Sequence, residues 1–333
     1  MPKPWPSLLP ACIAAVAAYG CSVDQRSLGS LGAPQGEAGI TADAFVAGLP
    51  VDAPVDGLPD SQDALAGETD AVAEVWVPFG SVSLFPPLAS TPASQADPTL
   101  TADELELYFS SNPNTDWDIW VVKRASSTAQ WVAPSQVAEL SSPFLDETPE
   151  VSADGLTIYF ASARPGDAAA GEHLWVSHRL KRTDGWDPPV PVTDFVGGDT
   201  DLSPSLSHDQ LLMVFASLHG SDWDLYATTR SSTAAPWGPP TPLTELNSPQ
   251  VDWDPALYRD GTSIVFASRR LNTANSLFYA TRATVTNKFS APQPATELNV
   301  NDDSDPWLSN DGSHIVFDSR RGGGPIKIYE ARR

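Results

Sequence analysis

Aspartate stands three positions ahead of a proline at Asp146, Asp201, Asp252 and Asp303, and Gln95 takes the matching place ahead of Pro98. The position next to the proline adds Asp97, Asp254 and Asp305. Carboxylates brought together from several segments are hard oxygen ligands, suited to Ca²⁺ or to a cationic patch on a partner. The metal expectation falls on Asp201, Asp252 and Asp303, and Ca²⁺ is the one cofactor weighed; no other is expected. The competing reading is local, because aspartate closes loops by accepting backbone N–H bonds. Three tryptophans sit beside acids: Trp117 and Trp223 in Asp-Trp-Asp triplets, and Trp253 between Asp252 and Asp254. An indole there can stack on a sugar or anchor a protein contact, or fold over a sheet edge to cover apolar surface. The expected binding residues are therefore Asp146, Asp201, Asp252, Asp303, Trp117, Trp223 and Trp253.

The inventory for catalysis is thin. No Gly-x-Ser-x-Gly elbow occurs, and His173, His178, His208, His219 and His314 are scattered without the spacing of a helical zinc site. Paired carboxylates could serve a carbohydrate-active hydrolase or lyase as acid and base. Such an enzyme is expected to break the repeat with a distinctive glutamate, whereas these aspartates follow it. The balance leans against an enzyme, and no catalytic residue is assigned. A net charge of -23 argues against a nucleic-acid partner.

The acids must be positioned by whatever carries the prolines. Pro149 to Ser162 reads as a short strand, a turn at Asp154-Gly155, and a strand alternating through Leu156, Ile158 and Phe160. The hairpin recurs at Pro98–Ser111, Pro204–Ser217, Pro255–Ser268 and Pro306–Ser319, about fifty residues apart, a period of propellers and solenoids. A third strand follows each hairpin and ends at Arg124, Arg179, Arg230, Arg282 or Arg333, each arginine expected to pair with a carboxylate of a neighbouring loop. A fourth opens at Trp131, Trp186, Trp237 or Phe289. The fifth copy stops at Arg333 without its fourth strand, while Phe79-Gly80-Ser81-Val82 precedes Pro98 at nearly the right spacing. The expectation is an all-β chain: a five-bladed β-propeller of four-stranded antiparallel blades, closed by an N-terminal strand that completes the last blade.

The pattern Pro-x-x-Ser-x-Asp-Gly, then x-x-Ile-x-Phe-x-Ser, then Asp-Leu-Tyr resembles the WD40-like repeat of the TolB C-terminal propeller, and the likeness runs from Phe79 to Arg333. The resemblance implies the propeller fold and not a function, since such repeats occur in periplasmic scaffolds, peptidase propellers and lipoproteins. TolB carries an additional N-terminal domain and six blades, where this chain has a tether and five.

Residues 1–20 read as a signal peptide, with Lys3 ahead of an apolar stretch from Leu8 to Tyr19. Ala18-Tyr19-Gly20-Cys21 resembles the lipobox of bacterial lipoproteins, which implies lipidation at Cys21. Cys12 and Cys21 are the only two cysteines, so no disulfide is expected beyond this segment. Residues 21–74, rich in Ala, Gly, Pro and Asp, read as a disordered tether, and residues 75–333 as the propeller. The expectation is a monomeric, non-enzymatic binding scaffold for an envelope protein or glycan. It would sit in the bacterial cell envelope (outer membrane or periplasm), touching membrane only through its lipid.

Overall fold

Each copy of the repeat forms a four-stranded antiparallel sheet in the computed structural model, which describes residues 76–113, 116–166, 171–194 and 198–333. The signal segment, Cys21 and the tether lie outside those residues. The first blade holds β2 (Gln95–Leu100), β3 (Glu106–Ser111), β4 (Asp118–Lys123) and β5 (Ser135–Gln136). The second holds β6 (Asp146–Val151), β7 (Thr157–Ser162), β8 (His173–His178) and β9 (Val190–Pro191). The third holds β10 (Thr200–Leu206), β11 (Leu212–His219), β12 (Asp222–Thr229) and β13 (Thr241–Pro242). The fourth holds β14 (Asp252–Tyr258), β15 (Ser263–Ser268), β16 (Ser276–Thr281) and β17 (Gln293–Pro294). The fifth holds β18 (Asp303–Leu308), β19 (His314–Ser319) and β20 (Lys327–Arg332), and its outer strand is β1 (Ser83–Leu84).

The inner strands β2, β6, β10, β14 and β18 pack in succession, and β18 returns to β2, so the ring closes. The expected N-terminal closure is present: Ser83 pairs with Glu330 and Leu84 with Tyr329, and Gly80 N–H donates to Arg332 O. Mixing the two ends of the chain in one sheet leaves no open edge between first and last blades.

Local chemistry explains the hairpins. In the second blade Asp154 accepts from the Ser152 hydroxyl at 2.6 Å and from Leu156 N–H at 3.0 Å. Gly155 follows at φ +73°, the left-handed region where a Cβ is disfavoured. The repeat phenylalanines Phe109, Phe160, Phe215, Phe266 and Phe317 are fully buried between blades, which is why each sheet needs its neighbours.

The five strand-end arginines do a different job from the expected carboxylate pairing. Arg124, Arg179, Arg230, Arg282 and Arg333 lie 4.2 to 4.5 Å above Trp131, Trp186, Trp237, Phe289 and Phe79. Each also donates from Nε to the carbonyl of a hairpin-turn residue, Glu104, Gly155, Gln210, Gly261 or Gly312. One side chain thus staples the outer strand to the hairpin in all five blades. Phe79 fills the aromatic place in the fifth, on the far side of the closure. Among the described residues, Arg124 gains a carboxylate as well, from Glu104, and Arg179 gains one from Glu106 of the neighbouring blade.

Candidate functional site

Where an inner strand reaches its proline, the ladder breaks. The register shifts between Ala96 and Thr99, Glu147 and Glu150, Leu202 and Ser205, Trp253 and Ala256, and Ser304 and Trp307. Proline has no N–H to give the ladder, so a bulge is tolerated there. The preceding residue takes a positive φ in every blade: Asp97 53°, Thr148 51°, Ser203 50°, Asp254 49° and Asp305 47°. These five residues line a central cavity of about 90 Å³. Five strained non-glycine residues at one repeat position mark it as over-determined by the ring.

Hydrogen bonds run round this ring. Thr148 N–H donates to Asp97 at 3.1 Å, Ser203 N–H to Thr148 Oγ1 at 3.1 Å, and Ser203 Oγ to Asp254 at 2.8 Å. Asp305 completes the circle against both Asp254 and Asp97. Asp318, buried behind Asp305, accepts from Ser304 Oγ at 2.7 Å. The Glu172 carboxylate lies close enough to Glu147 to oppose its ionisation. Carboxylates that bond each other must share protons, since an ionised carboxylate only accepts. Burial raises Asp97, Asp305, Asp318 and Glu147 above the usual carboxylate range, and the neighbouring acids add to the last three. Burial also pushes Asp254 up to about 7. Glu150 goes up to about 7 by burial, against bonds from Leu206 N–H and Thr99 Oγ1.

Among the described residues, Asp97, Asp305 and Asp318 are the group whose oxygens come within 4.8 Å of one another, the spacing a hard cation would need. Asp201, Asp252 and Asp303, the expected calcium residues, are not brought together. Asp146 accepts from Ser142 N–H at 2.5 Å, Ser162 Oγ at 2.6 Å and Arg164 at 2.5 Å. Asp252 takes Ser248 N–H and Arg270, and Asp303 takes Val300 N–H, Asn301 N–H and Arg321. Asp201 takes Gly198 N–H, Ser217 Oγ and His173. All four are buried; Asp146, Asp252 and Asp303 turn their oxygens into their own blade's loops, and Asp201 also faces His173 of the second blade. The local alternative describes their geometry, and the expected ring is formed by the residues two positions later.

The tryptophans divide. Trp223 and Trp253 meet at 6.2 Å between ring centroids, and Arg269 lies 4.8 Å over Trp253. Trp117 is half-buried and its carbonyl receives Asp146 N–H at 3.1 Å, tying it to another blade's loop. Sequence reasoning missed Glu147, Glu150, Glu172 and Asp318. The signal was present for three of them. Glu147 stands where other blades carry Ala96, Leu202, Trp253 or Ser304, and Asp318 where they carry Ser110, Ala161, Ala216 or Ala267. Glu150 likewise replaces Thr99, Ser205, Ala256 or Trp307. Glu172 has no counterpart, because it arrives on the second blade's long loop, part of which (167–170) lies outside the described residues.

No family model matches the chain, and no curated protein matches it in sequence. Solved structures do. An endo-arabinase from Bacteroides thetaiotaomicron matches at 17% identity with a TM-score of 0.55, covering 75% of this chain and 97% of that one. A thermostable family-43 glycoside hydrolase matches at 12% with a TM-score of 0.52, covering 75% and 91%. TolB from Acinetobacter baumannii matches at 15% with a TM-score of 0.45, covering 72% of this chain and 55% of that one, so this chain spans about half of its length. At such identities the likeness concerns the fold and leaves function to the site. That fold is a five-bladed β-propeller.

Proposed function

We propose that the propeller is a non-enzymatic binding scaffold, held to the cell envelope by a lipid on Cys21 and presenting its face to a protein or glycan. The observation that carries this reading is the size of the acidic channel. Ligand pockets run from about 300 to 1,000 Å³, and the carboxylate-lined cavity has about 90 Å³. That space is too small for a sugar ring beside Asp97, Glu150, Asp254 and Asp305; Glu147, Glu172 and Asp318 do not line it. Two larger cavities, of about 380 and 400 Å³, contain one carboxylate (Glu245) and none, short of the pair that glycoside hydrolysis requires. In the scaffold reading the channel carboxylates do no chemistry, and recognition belongs to loops on the rim.

A hydrolase reading has one observation in its favour: Glu147 and Asp318 break the repeat, as catalytic acids would. The mature protein incubated with an arabinan panel, chosen because one neighbour is an endo-arabinase, separates the two. The scaffold reading expects no new reducing ends. Product that disappears in Glu147→Gln would overturn it. The anchor is tested separately by palmitate labelling in a bacterial host, which Cys21→Ser must abolish.

A further inference from the structure

Three blades hold an arginine in the same slot. Arg164, Arg270 and Arg321 each stand two residues after the serine that ends the second strand. Each guanidinium lies over a phenylalanine and over the aromatic paired with it on the third strand. The distances are 5.0 and 5.2 Å for Phe160 and Trp175, 5.2 and 4.9 Å for Phe266 and Phe278, and 4.8 and 5.0 Å for Phe317 and Tyr329. Each also donates to the strand-leading aspartate and to a leucine carbonyl, Leu140, Leu246 or Leu298. In the third blade His219 takes this position, 4.8 Å from the Tyr226 ring and 3.2 Å from Ser217 Oγ.

The first blade has the walls of the slot without the plug. Phe109 and Trp120 pair across β3 and β4 as Phe160 and Trp175 do, but the arginine position is Pro113 and the aspartate position is Gln95. A cavity of about 400 Å³ lies there, lined by Thr91, Gln95, Phe109, Ser111, Pro113 and Trp120 among others. Gln95 is 1% exposed, and its Oε1 has no hydrogen-bond partner, while its Nε2 is engaged by Thr91 and Ala93. A buried carbonyl oxygen without a donor costs free energy that a ligand's donor would recover. The nearby ammonium of Lys327 is turned onto the Thr91 and Ala93 carbonyls and does not occupy the slot.

We propose that this first-blade cavity binds an arginine side chain of a partner protein. Its guanidinium would lie across Phe109 and Trp120 and donate to Gln95 Oε1. The protein itself supplies the template, since the equivalent aromatic pair grips an internal arginine in three other blades. A guanidinium suits the site better than an ammonium because it is planar, stacks on ring faces and carries several donors in one plane. The net charge of -23 favours the approach of a cationic segment. With Gln95 in place of a carboxylate, binding to a single arginine is expected in the millimolar range, which suits one contact of a larger interface.

The test is an NMR titration of the full chain, following indole N–H signals with the Trp120 resonance identified through Trp120→Phe. N-acetyl-arginine amide should shift that signal in a saturable way, and N-acetyl-lysine amide should bind at least about tenfold more weakly. Equal binding of the two probes, or no shift up to the solubility limit, overturns the proposal. The second arm restores the internal plug with the pair Gln95→Asp and Pro113→Arg. That variant should melt at a higher temperature than the wild type and lose the arginine response. A plugged variant that still responds shows that the probe binds elsewhere and overturns the proposal. Neither arm depends on what the acidic channel does, so failure here would leave the scaffold reading standing.

Discussion

Asp252 and Asp254 lie on one strand with a single residue between them, and each buries a carboxylate by a different route. Asp252 meets Arg270 and a backbone N–H in the loop that leads into the strand. Asp254 faces the channel, where it finds a serine hydroxyl and other acids, and burial pushes it up to about 7. Asp303 and Asp305 repeat the contrast, the first with Arg321 and the second with Asp97 and Asp254. The bulge at the proline separates the two members of each pair. One residue type two positions apart is thus delivered to a charge-paired latch and to a proton-sharing ring. Acidic clusters in sequence carry no chemical meaning until the backbone says which way each residue turns.

The largest expected effect comes from breaking a latch. Arg270→Ala leaves the Asp252 carboxylate buried without its counter-charge and should destabilise the domain by about 3–5 kcal/mol in urea unfolding. Asp252→Asn should act in the same direction, since it strands the guanidinium. Asp254→Asn is the matched comparison. It removes an acid that the folded state resists ionising, and at pH above about 7 it should leave stability unchanged or raise it by about 1 kcal/mol. Equal losses for Asp252→Asn and Asp254→Asn would erase the contrast.

Next in size is a dependence on pH. Glu150 is raised to about 7 in the fold, so between its unfolded value and that point the native state holds more protons than the unfolded chain. Its contribution is complete below the unfolded value, near 4.3, and is lost as pH rises through about 7. The melting temperature should therefore fall by several degrees from about pH 5 to about pH 8. His314 adds to the fall. Burial alone would lower it, but the Glu104 and Glu330 carboxylates facing its two ring nitrogens raise it, with Arg332 opposing, so its support also disappears as pH rises. Glu150→Gln should remove its own share of the slope and leave the remainder. A slope unchanged by that substitution would mean that Glu150 ionises normally.

The smallest effect tests a feature common to all blades. Arg230→Ala removes the stack on Trp237 and the bond to Gln210 O, without a carboxylate partner to strand. A loss of about 1–2 kcal/mol is expected in urea unfolding. A loss as large as that of Arg270→Ala would show that pairing with a buried carboxylate is not what distinguishes the latch.

Much of the architecture was legible in the sequence because the repeat is redundant. Five copies of a proline, a turn aspartate and a buried phenylalanine give five independent readings of one hairpin, and the missing last strand pointed to Phe79 at the other end. The arginines were visible but not their job: each stands seven positions ahead of its aromatic in four blades, yet only the fold shows that the guanidinium turns onto that ring. The acidic ring was legible only as a set of aspartates. Asp97, Asp254 and Asp305 were named for it, but Asp146, Asp201, Asp252 and Asp303 were grouped with them, because residues two apart share a face of a regular strand and the bulge at the proline reverses that alternation.

What the sequence determined by itself was the blade, since hairpin chemistry and apolar alternation act over a few residues. Tertiary structure alone decided which acids meet, because Asp97, Asp305 and Asp318 come from the two ends of the propeller and touch only once the ring is closed. It alone also revealed the first-blade cavity, where the loss of an arginine matters only because Phe109 and Trp120 still stand as its walls. Local forces write the strands, while charge, burial and cavity volume belong to the closed ring.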